Sequence, residues 1–371
     1  MVGKEDFSVK KFLGCGCYSL VYEVEKVTKP DIGRKYALKK FFLLTNSSIR
    51  CVLRERHILV KLSEHIESSP FLPRLFYSLW IPFSPIFIIT ESCGKDLYDL
   101  MQSVGSVTEN EAKFYLAQII SGLELVHSLG IVHLDIKPEN ILLQHDGNIF
   151  LADFDRSFDT TIQGDKKPDD DDFTGTPLFM APEIARGQVI TPKADIWSLG
   201  VLLAELVSGP IRKTARNTEE NFKMARSGKW KVDNLGKFSK GLQSFLKNCL
   251  NVDYKQRPNL TMLKTRIFLK SIDWNKLKNL ELNPPYSPQE IIHRPTKKDK
   301  ALLECQDQNL LNDAFSKTPN HNYHSRKLNT GEILDNTITI DKSEKELEDL
   351  FKNFYYTSNN FLDDLQGLKI K

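Results

Sequence analysis

Residues 131–143 read IVHLDIKPENILL. This apolar run breaks for a polar turn and then resumes as Ile141-Leu142-Leu143. A turn between two buried strands has little structural use for a carboxylate (Asp135), an ammonium (Lys137) and an amide (Asn140) within six positions. A site that handles phosphate and a metal ion uses all three, because phosphate attracts a cation and Mg²⁺ takes hard oxygen ligands. Whatever fold the chain adopts must present this turn while burying the apolar residues on both sides of it.

The chain changes character near residue 94. FLGCGCYSLVYEVEKV and RKYALKKFFLL are β-branched and aromatic runs separated by the turn-rich TKPDIG, and they predict strands. VLRERHILVKL follows, with Val52, Leu53, Ile58 and Leu59 clustered on one helical face. FLPRLFYSLW and IFIITES predict two more strands. From Gly94 onward the signals are helical. Thr108-Glu-Asn-Glu111 is a capping box, Leu116, Ile119, Ile120 and Leu123 recur at helical spacing, and Gly130 is placed to end that helix. ADIWSLGVLLAELVSGP is apolar on nearly all sides and predicts a buried helix stopped at Gly209-Pro210. The expected fold class is α+β, with a small β-rich lobe over about 7–93 and a larger helical lobe over about 94–270.

At 371 residues the chain is too long for one growing core, which agrees with two lobes. A net charge of +3 is too slight to imply a nucleic acid or an anionic membrane as partner. The six cysteines are scattered, with no paired CxxC spacing, which favours free thiols in a reducing compartment. The charged start, MVGKEDFSVKKF, has no apolar signal core, and no apolar run reaches membrane-spanning length. A monomer in the cytoplasm, the nucleus or both is the expectation. Residues 271–371 form a tail in which 293–345 are polar and without periodicity, expected to be extended or disordered. FKNFYY, at 351–356, restores aromatic density.

Elsewhere the chemistry-bearing residues are ambiguous one by one. In GCGCYSLV, Gly14 and Gly16 would let backbone amides close over phosphates, although two glycines in a hairpin are more often only a turn. Lys39 in YALKK and Glu55 on the predicted helix each have an ordinary reading as surface charges.

Taken in order, these segments resemble the eukaryotic protein kinases. IVHLDIKPENILL resembles their catalytic loop, LADFD at the usual distance resembles the metal-binding motif, and GTPLFMAPE resembles the substrate-side loop. The resemblance implies that Asp135 accepts the substrate hydroxyl proton, Lys137 reaches the transferred phosphate, and Asn140 and Asp153 bind Mg²⁺. It implies ATP as cosubstrate, with Lys39 anchoring phosphates while paired to Glu55. Leu13, Gly14, Gly16 and Val21 of the glycine-rich segment would border the nucleotide. So would Ala37 on the next strand, Thr90, Glu91, Cys93 and Asp96 around the hinge, and Leu142 after the catalytic loop. Glu183 matches a glutamate usually paired with the arginine at Arg257, and Asp195 matches the aspartate that braces the catalytic loop. The lysine in DIKPEN is the serine/threonine-type form.

Finer detail resembles the AGC group. FLPRLFYSLW and ERHIL are similar to its fourth strand and αC helix. SIDWNKL and LNPPYSP are similar to its C-terminal tail, and FKNFYY to the hydrophobic motif that docks on the small lobe. The partners this implies are protein substrates, with an upstream kinase or docking of the chain's own tail as controls. Asp96 and Glu139 match positions that hold an arginine upstream of the acceptor, and Phe173, Pro177 and Met180 would accept an apolar residue downstream. Cys15, Cys17 and Cys93 would border the nucleotide.

Three positions depart from the family pattern: Leu134 replaces the arginine before the catalytic Asp, Asp155 replaces the glycine after Phe154, and Ser19 replaces the third loop glycine. A glycine tolerates positive φ that Asp adopts only at a cost, so Asp155 would be strained if its position requires that conformation. Asp172, in the run Asp169–Asp172, stands where many AGC kinases carry a phosphorylated Thr, and Leu134 cannot read a phosphate there. Two other readings stay open. HLD and ITESCG are similar to inhibitory cell-cycle kinases of the Wee type, and a kinase-like scaffold could bind nucleotide without transferring phosphate.

Overall fold

Alternation of polar and apolar residues determines how the first strands are buried. In Ser19–Lys26 (β2) and Lys35–Phe41 (β3), every second residue is buried, and Phe7–Cys15 (β1) pairs antiparallel with β2. Tyr22, Val24, Tyr36 and Leu38 share the inner face and pack with Phe7, Phe12, Phe76 and Tyr77 as the core of this unit. Helix α1 (Asn46–Ser63) buries Val52, Ile58, Leu59 and Leu62, and strands β4 (Tyr77–Leu79) and β5 (Ile86–Glu91) follow. This computed structural model describes residues 2–15, 19–43, 45–65, 69–80, 86–91, 95–163, 176–209, 218–229, 235–289, 291 and 342–358. Gly16, Cys17, Cys93, Asp172, Phe173 and the Asp169–Asp172 run lie outside the described residues, as does the linker from 292 to 341.

FLPRLFYSLW is a strand only over its last part, contrary to the sequence expectation. Pro73 removes a backbone donor from the first part of that stretch, and Pro70 removes another just before it, so a ladder does not run through its start. Phe71 instead turns its carbonyl to the amide of Leu151, at 3.0 Å.

The chain divides into two compact units. The first takes residues 1–63, 74–92 and 295–371, and the second takes 64–73 and 93–294. The second unit opens with a two-residue strand, Lys95–Asp96 (β6), followed by α2 (Leu97–Val104) and α3 (Glu109–Ser128). Thr108 caps α3 with the reciprocal Glu111 bond that the capping box predicts. Gly130 follows the helix at φ 75, where an added Cβ would stand 2.6 Å from Thr161 Cγ2. Short strands β7 (Ile131–Val132), β8 (Ile141–Leu143), β9 (Ile149–Leu151) and β10 (Phe158–Asp159) then form two small sheets, ordered β6-β8-β9 and β10-β7. Helices α4 (Thr160–Gln163) and α5 (Pro182–Ala185) precede α6 (Lys193–Ser208), which buries residues on every side, as its composition requires. Around it lie α7 (Thr218–Ser227), α8 (Lys240–Cys249), α9 (Leu260–Lys264) and α10 (Trp274–Lys278).

The aromatic tail belongs to the first unit. Helix α11 (Glu344–Phe351) begins inside the stretch expected to be extended, because Ser343 and Glu346 form a capping box that the polar composition obscures. Strand β11 (Tyr356–Thr357) was not foreseen; it pairs antiparallel with β4 and makes the sheet β1-β2-β3-β5-β4-β11. Phe351 and Phe354 are fully buried, and Phe351 stacks on Trp80 at 4.7 Å. Arg56 on α1 donates from Nε to the carbonyl of Phe354 at 2.8 Å and lies over that ring. Ser78 donates to the same carbonyl. No helix among the described residues is long and apolar enough to cross a membrane.

Truncating a buried Phe to Ala costs about 3–5 kcal/mol where the site cannot collapse. Phe351→Ala with Phe354→Ala is therefore expected to undock the tail. The melting temperature falls, and amide exchange at Tyr77–Leu79 and Tyr356–Thr357 accelerates. Unchanged exchange at both strands would refute this packing as a source of stability.

Candidate active site

The first unit holds one cluster of the predicted residues. Register aligns Gly14 with Val21 and Val21 with Lys39 across β1, β2 and β3, and Ala37 with Thr90 across β3 and β5. Paired residues share a sheet face, and Val21, Ala37, Lys39 and Thr90 are all half-buried, as is Leu13 on β1. Lys39 Nζ meets Glu55 Oε2 at 2.7 Å, with Glu55 buried on α1. The sequence thus places the Lys39 cation beside Val21 and near Ala37, and a buried carboxylate to hold it. Glu91 ends β5 with its carboxyl raised by burial, an effect that Arg74 and Arg34 oppose.

The second unit contributes the polar turn. Asp135 Oδ2 accepts from Lys137 Nζ at 2.6 Å and from Asn140 Nδ2 at 2.9 Å. Asn140 Nδ2 also donates to the Asp135 carbonyl at 2.8 Å, so its amide nitrogen is committed and its carbonyl Oδ1 remains as an oxygen ligand. Lys137 Nζ reaches Thr176 Oγ1 at 3.3 Å. Burial works against the charged ammonium of Lys137, but Asp135 and Asp153 outweigh it and raise its pKa. Glu139 is exposed. Asp96 is buried as the N-cap of α2, its Oδ1 accepting the Asp99 amide at 2.8 Å. That capping role is written in the DLYD spacing and was overlooked in the sequence.

Two residues the sequence reading did not single out, His127 and His133, complete the support, and Asp195 joins them. Asp195 is fully buried on α6; its Oδ2 accepts the His133 amide at 2.9 Å and contacts His127 Nε2 at 2.8 Å, and its Oδ1 accepts the Leu134 amide at 2.8 Å. His133 Nδ1 accepts the Asp135 amide at 3.3 Å, so Nε2 carries the proton toward the Ala152 carbonyl at 3.1 Å. Burial lowers the His133 pKa and keeps the ring neutral, as that pattern requires. Leu134 (φ 65) and Asp153 (φ 66) both adopt the left-handed region. Asp155 does not, which corrects the expectation of strain there. It lies 3.8 Å from Arg156, and the unusual backbone is at the neighbouring Asp153 instead.

Below the turn, Arg257 and Glu183 form a buried bidentate pair at 2.6 and 2.7 Å. Arg257 also donates to the carbonyls of Asn251 and Lys193 and lies over Trp197.

The donor set fits Mg²⁺. Among the described residues no group of three or more His, Cys, Asp or Glu could hold a metal alone. Asn140 and Asp153 supply two hard oxygens, which suits an ion that keeps water and phosphate ligands instead of a full protein cage.

Burial pushes the Asp195 carboxyl up, but hydrogen bonds from His127 and the His133 amide outweigh it and hold the pKa below the ordinary 3.8. A depressed folded pKa stabilises the protein above the unfolded value, and that contribution is lost as pH falls through the folded value. Asp195→Ala is therefore expected to cost about 3–5 kcal/mol at neutral pH. It should also flatten the dependence of stability on pH below about pH 4. Urea titrations across pH 2–7 check both, and an unaltered acid limb would contradict the assignment.

Comparison with known proteins agrees with this geometry. The Protein kinase domain profile matches residues 7–269. Rat ribosomal protein S6 kinase alpha-1 is 34% identical over 298 residues, covering 76% of this chain and 38% of the relative. Serine/threonine-protein kinase SCH9 of Saccharomyces cerevisiae is 34% identical over 303 residues, covering 79% and 35%, and that of Candida albicans is 36% identical over 299, covering 78% and 37%. The chain thus spans less than two-fifths of the length of these relatives. With its β-rich and helical units and its catalytic-type loop, the chain belongs to the eukaryotic protein kinase family, serine/threonine type, and is related to its AGC group.

Proposed function

We propose that the chain is a serine/threonine kinase that transfers the γ-phosphate of ATP to protein hydroxyls. The observation that carries this reading is the shared Asp135 Oδ2, which fixes Lys137 and Asn140 in one cluster. Phosphoryl transfer depends mainly on positioning and charge neutralisation, and a shared anchor supports both. Asp135 Oδ1 is the atom to which we assign the proton of the acceptor hydroxyl. Lys137 would hold the transferring group from one side. Lys39, oriented by Glu55, would hold the α and β phosphates. Asn140 Oδ1 and Asp153 would hold Mg²⁺, which when bound neutralises charge on the phosphate oxygens. The half-buried face with Leu13, Val21, Ala37 and Thr90 suits an adenine ring.

The tail would act through α1. Arg56 follows Glu55 directly, and its bond to the Phe354 carbonyl ties the docked motif to the helix that holds Lys39. The exposed Tyr355 stands where the group usually carries a phosphorylated Ser or Thr, and the docking contacts described need no phosphate. Control by aromatic docking without phosphorylation follows from this reading.

Asp135→Asn or Lys39→Met is expected to lower kcat by about 10²-fold or more, the scale of a positioned catalytic group. Phosphate transfer from Mg-ATP to a generic basic peptide is the measurement. Wild-type transfer no faster than the variants would support the scaffold reading instead. On substrate choice, the carboxylates of Asp96 and Glu139 favour an arginine upstream of the acceptor, through forked hydrogen bonds. Asp96 would have to serve this role while also capping α2. A peptide array without basic enrichment upstream would remove that part of the proposal.

A further inference from the structure

Lys95 begins β6, directly before Asp96, and its side chain has no part in the reaction described above. Its Nζ donates to two backbone carbonyls, Pro288 at 3.0 Å and Ile291 at 2.8 Å. These carbonyls belong to a strap, residues 272–291, that is fastened along the second unit at successive points. At its start Lys264 stands over Trp274 at 4.3 Å while pairing with Glu124 of α3, and Leu277 is buried. Farther along, Tyr286 hydrogen-bonds Glu111 at the opposite end of α3. There the strap passes so close to the β8–β9 turn that a Cβ on Gly147 (φ 88) would meet Tyr286 O at 2.5 Å and Pro284 Cβ at 2.8 Å. Gln289 then donates to the His145 carbonyl at 3.4 Å, and Ile291 is buried.

The last fastening differs in kind from the others. The earlier ones use helix α3 and a surface turn, whereas Lys95 ties the strap to β6. β6 has only two residues, Lys95 paired with Leu143 and Asp96 paired with Leu142. Asp96 and Leu142 are the described residues of this unit assigned to the nucleotide, and Leu142 lies two residues after Asn140, the proposed metal ligand. Beyond its ladder this short strand is held at Asp96 by the cap on α2, and at Lys95 by a charged side chain bonded to two external carbonyls, which fixes the end that the cap does not.

We infer that Lys95 is a positioning residue: it clamps the carbonyls of Pro288 and Ile291 to β6 and so holds Asp96 and Leu142 in place for nucleotide. The inference rests on the kinase reading above. A purely structural lysine would contribute only to overall stability. A clamp of this kind acts on nucleotide affinity and on the strap, and it is replaceable by any side chain that can donate to both carbonyls.

The test uses the full chain with Lys95→Met and Lys95→Arg. Three quantities are measured: hydrogen–deuterium exchange over residues 284–291, the Kd for a fluorescent ATP analogue with Mg²⁺, and kcat and KM for ATP. For Lys95→Met the strap amides exchange faster, Kd and KM for ATP rise about three- to tenfold, and kcat stays within twofold. For Lys95→Arg all of these return toward wild type, since a guanidinium can also donate to two acceptors. Wild-type exchange in Lys95→Met would overturn the inference. So would faster exchange with unchanged Kd, or a fall in kcat and melting temperature together with unaltered KM. A wild-type protein that fails to bind the analogue would overturn the kinase reading itself and this inference with it. One that binds but does not transfer phosphate leaves exchange and Kd to decide the clamp alone.

Discussion

The geometry of the catalytic loop depends on one buried carboxylate. Asp195 has no exposure, yet it stays ionised because His127 and two backbone amides surround its oxygens. Those amides belong to His133 and Leu134, the two residues immediately before Asp135. Leu134 is held at φ 65, a conformation that costs a non-glycine residue of order 1–3 kcal/mol and persists only when its surroundings impose it. Asp195 is what imposes it. His133 continues the chain of support, receiving the Asp135 amide on one nitrogen and reaching the Ala152 carbonyl, one residue before Asp153, with the other. Asp135 and Asp153, the proposed proton acceptor and metal ligand, are thus oriented from a single ion on α6.

The first unit solves the corresponding problem differently. Lys39 sits on a strand and needs only a partner to aim it, and Glu55 supplies this from a helix. A helix packed on a sheet by apolar contacts can shift by a few ångströms more easily than a strand within the sheet. The tail contacts fall on this movable element: Arg56 is adjacent to Glu55, and the Phe354 carbonyl joins it to Ser78 of β4. The aromatic rings provide the affinity, since their burial is the larger energy. The carbonyl contacts provide the direction, since a hydrogen bond fixes where the helix stands.

Much of this was legible in the sequence, and the reasons differ by element. The polar turn at 135–140 stood out because residues of that chemistry are rarely placed between apolar strands without a use. The capping box at Thr108 and the all-round apolar α6 were readable from spacing alone. What the sequence hid was support supplied by backbone groups. Nothing in the residue types shows that His133 reads the Ala152 carbonyl, or that the strain would lie at Asp153 and Leu134 instead of Asp155. Strand β11 was invisible for a related reason: two residues without alternation carry no period, and the strand exists because β4 offers an unpaired edge. The first part of FLPRLFYSLW misled in the opposite direction, since its apolar content predicts a strand while Pro73 removes a donor that a ladder needs.

The two unusual residues of the loop can now be weighed by what their positions require. At 134 the backbone carries the structural duty, through the amide donated to Asp195, and that duty is the same for leucine as for arginine. The substitution therefore removes a charge without disturbing the geometry that positions Asp135. At 155 the side chain is a carboxylate near Arg156, and the backbone is ordinary, so the residue after Phe154 does not need glycine in this chain. Both changes spare Asp135, Asn140 and Asp153, the residues proposed to move a proton or hold a metal. Leu134 alone removes a cation, the one that in the family would read a phosphate on the loop before Thr176. On the proposed reading the chain keeps its chemistry and takes its regulation from elsewhere. The docked aromatic tail, tied to α1 one residue from Glu55, is the contact among the described residues best placed to supply it.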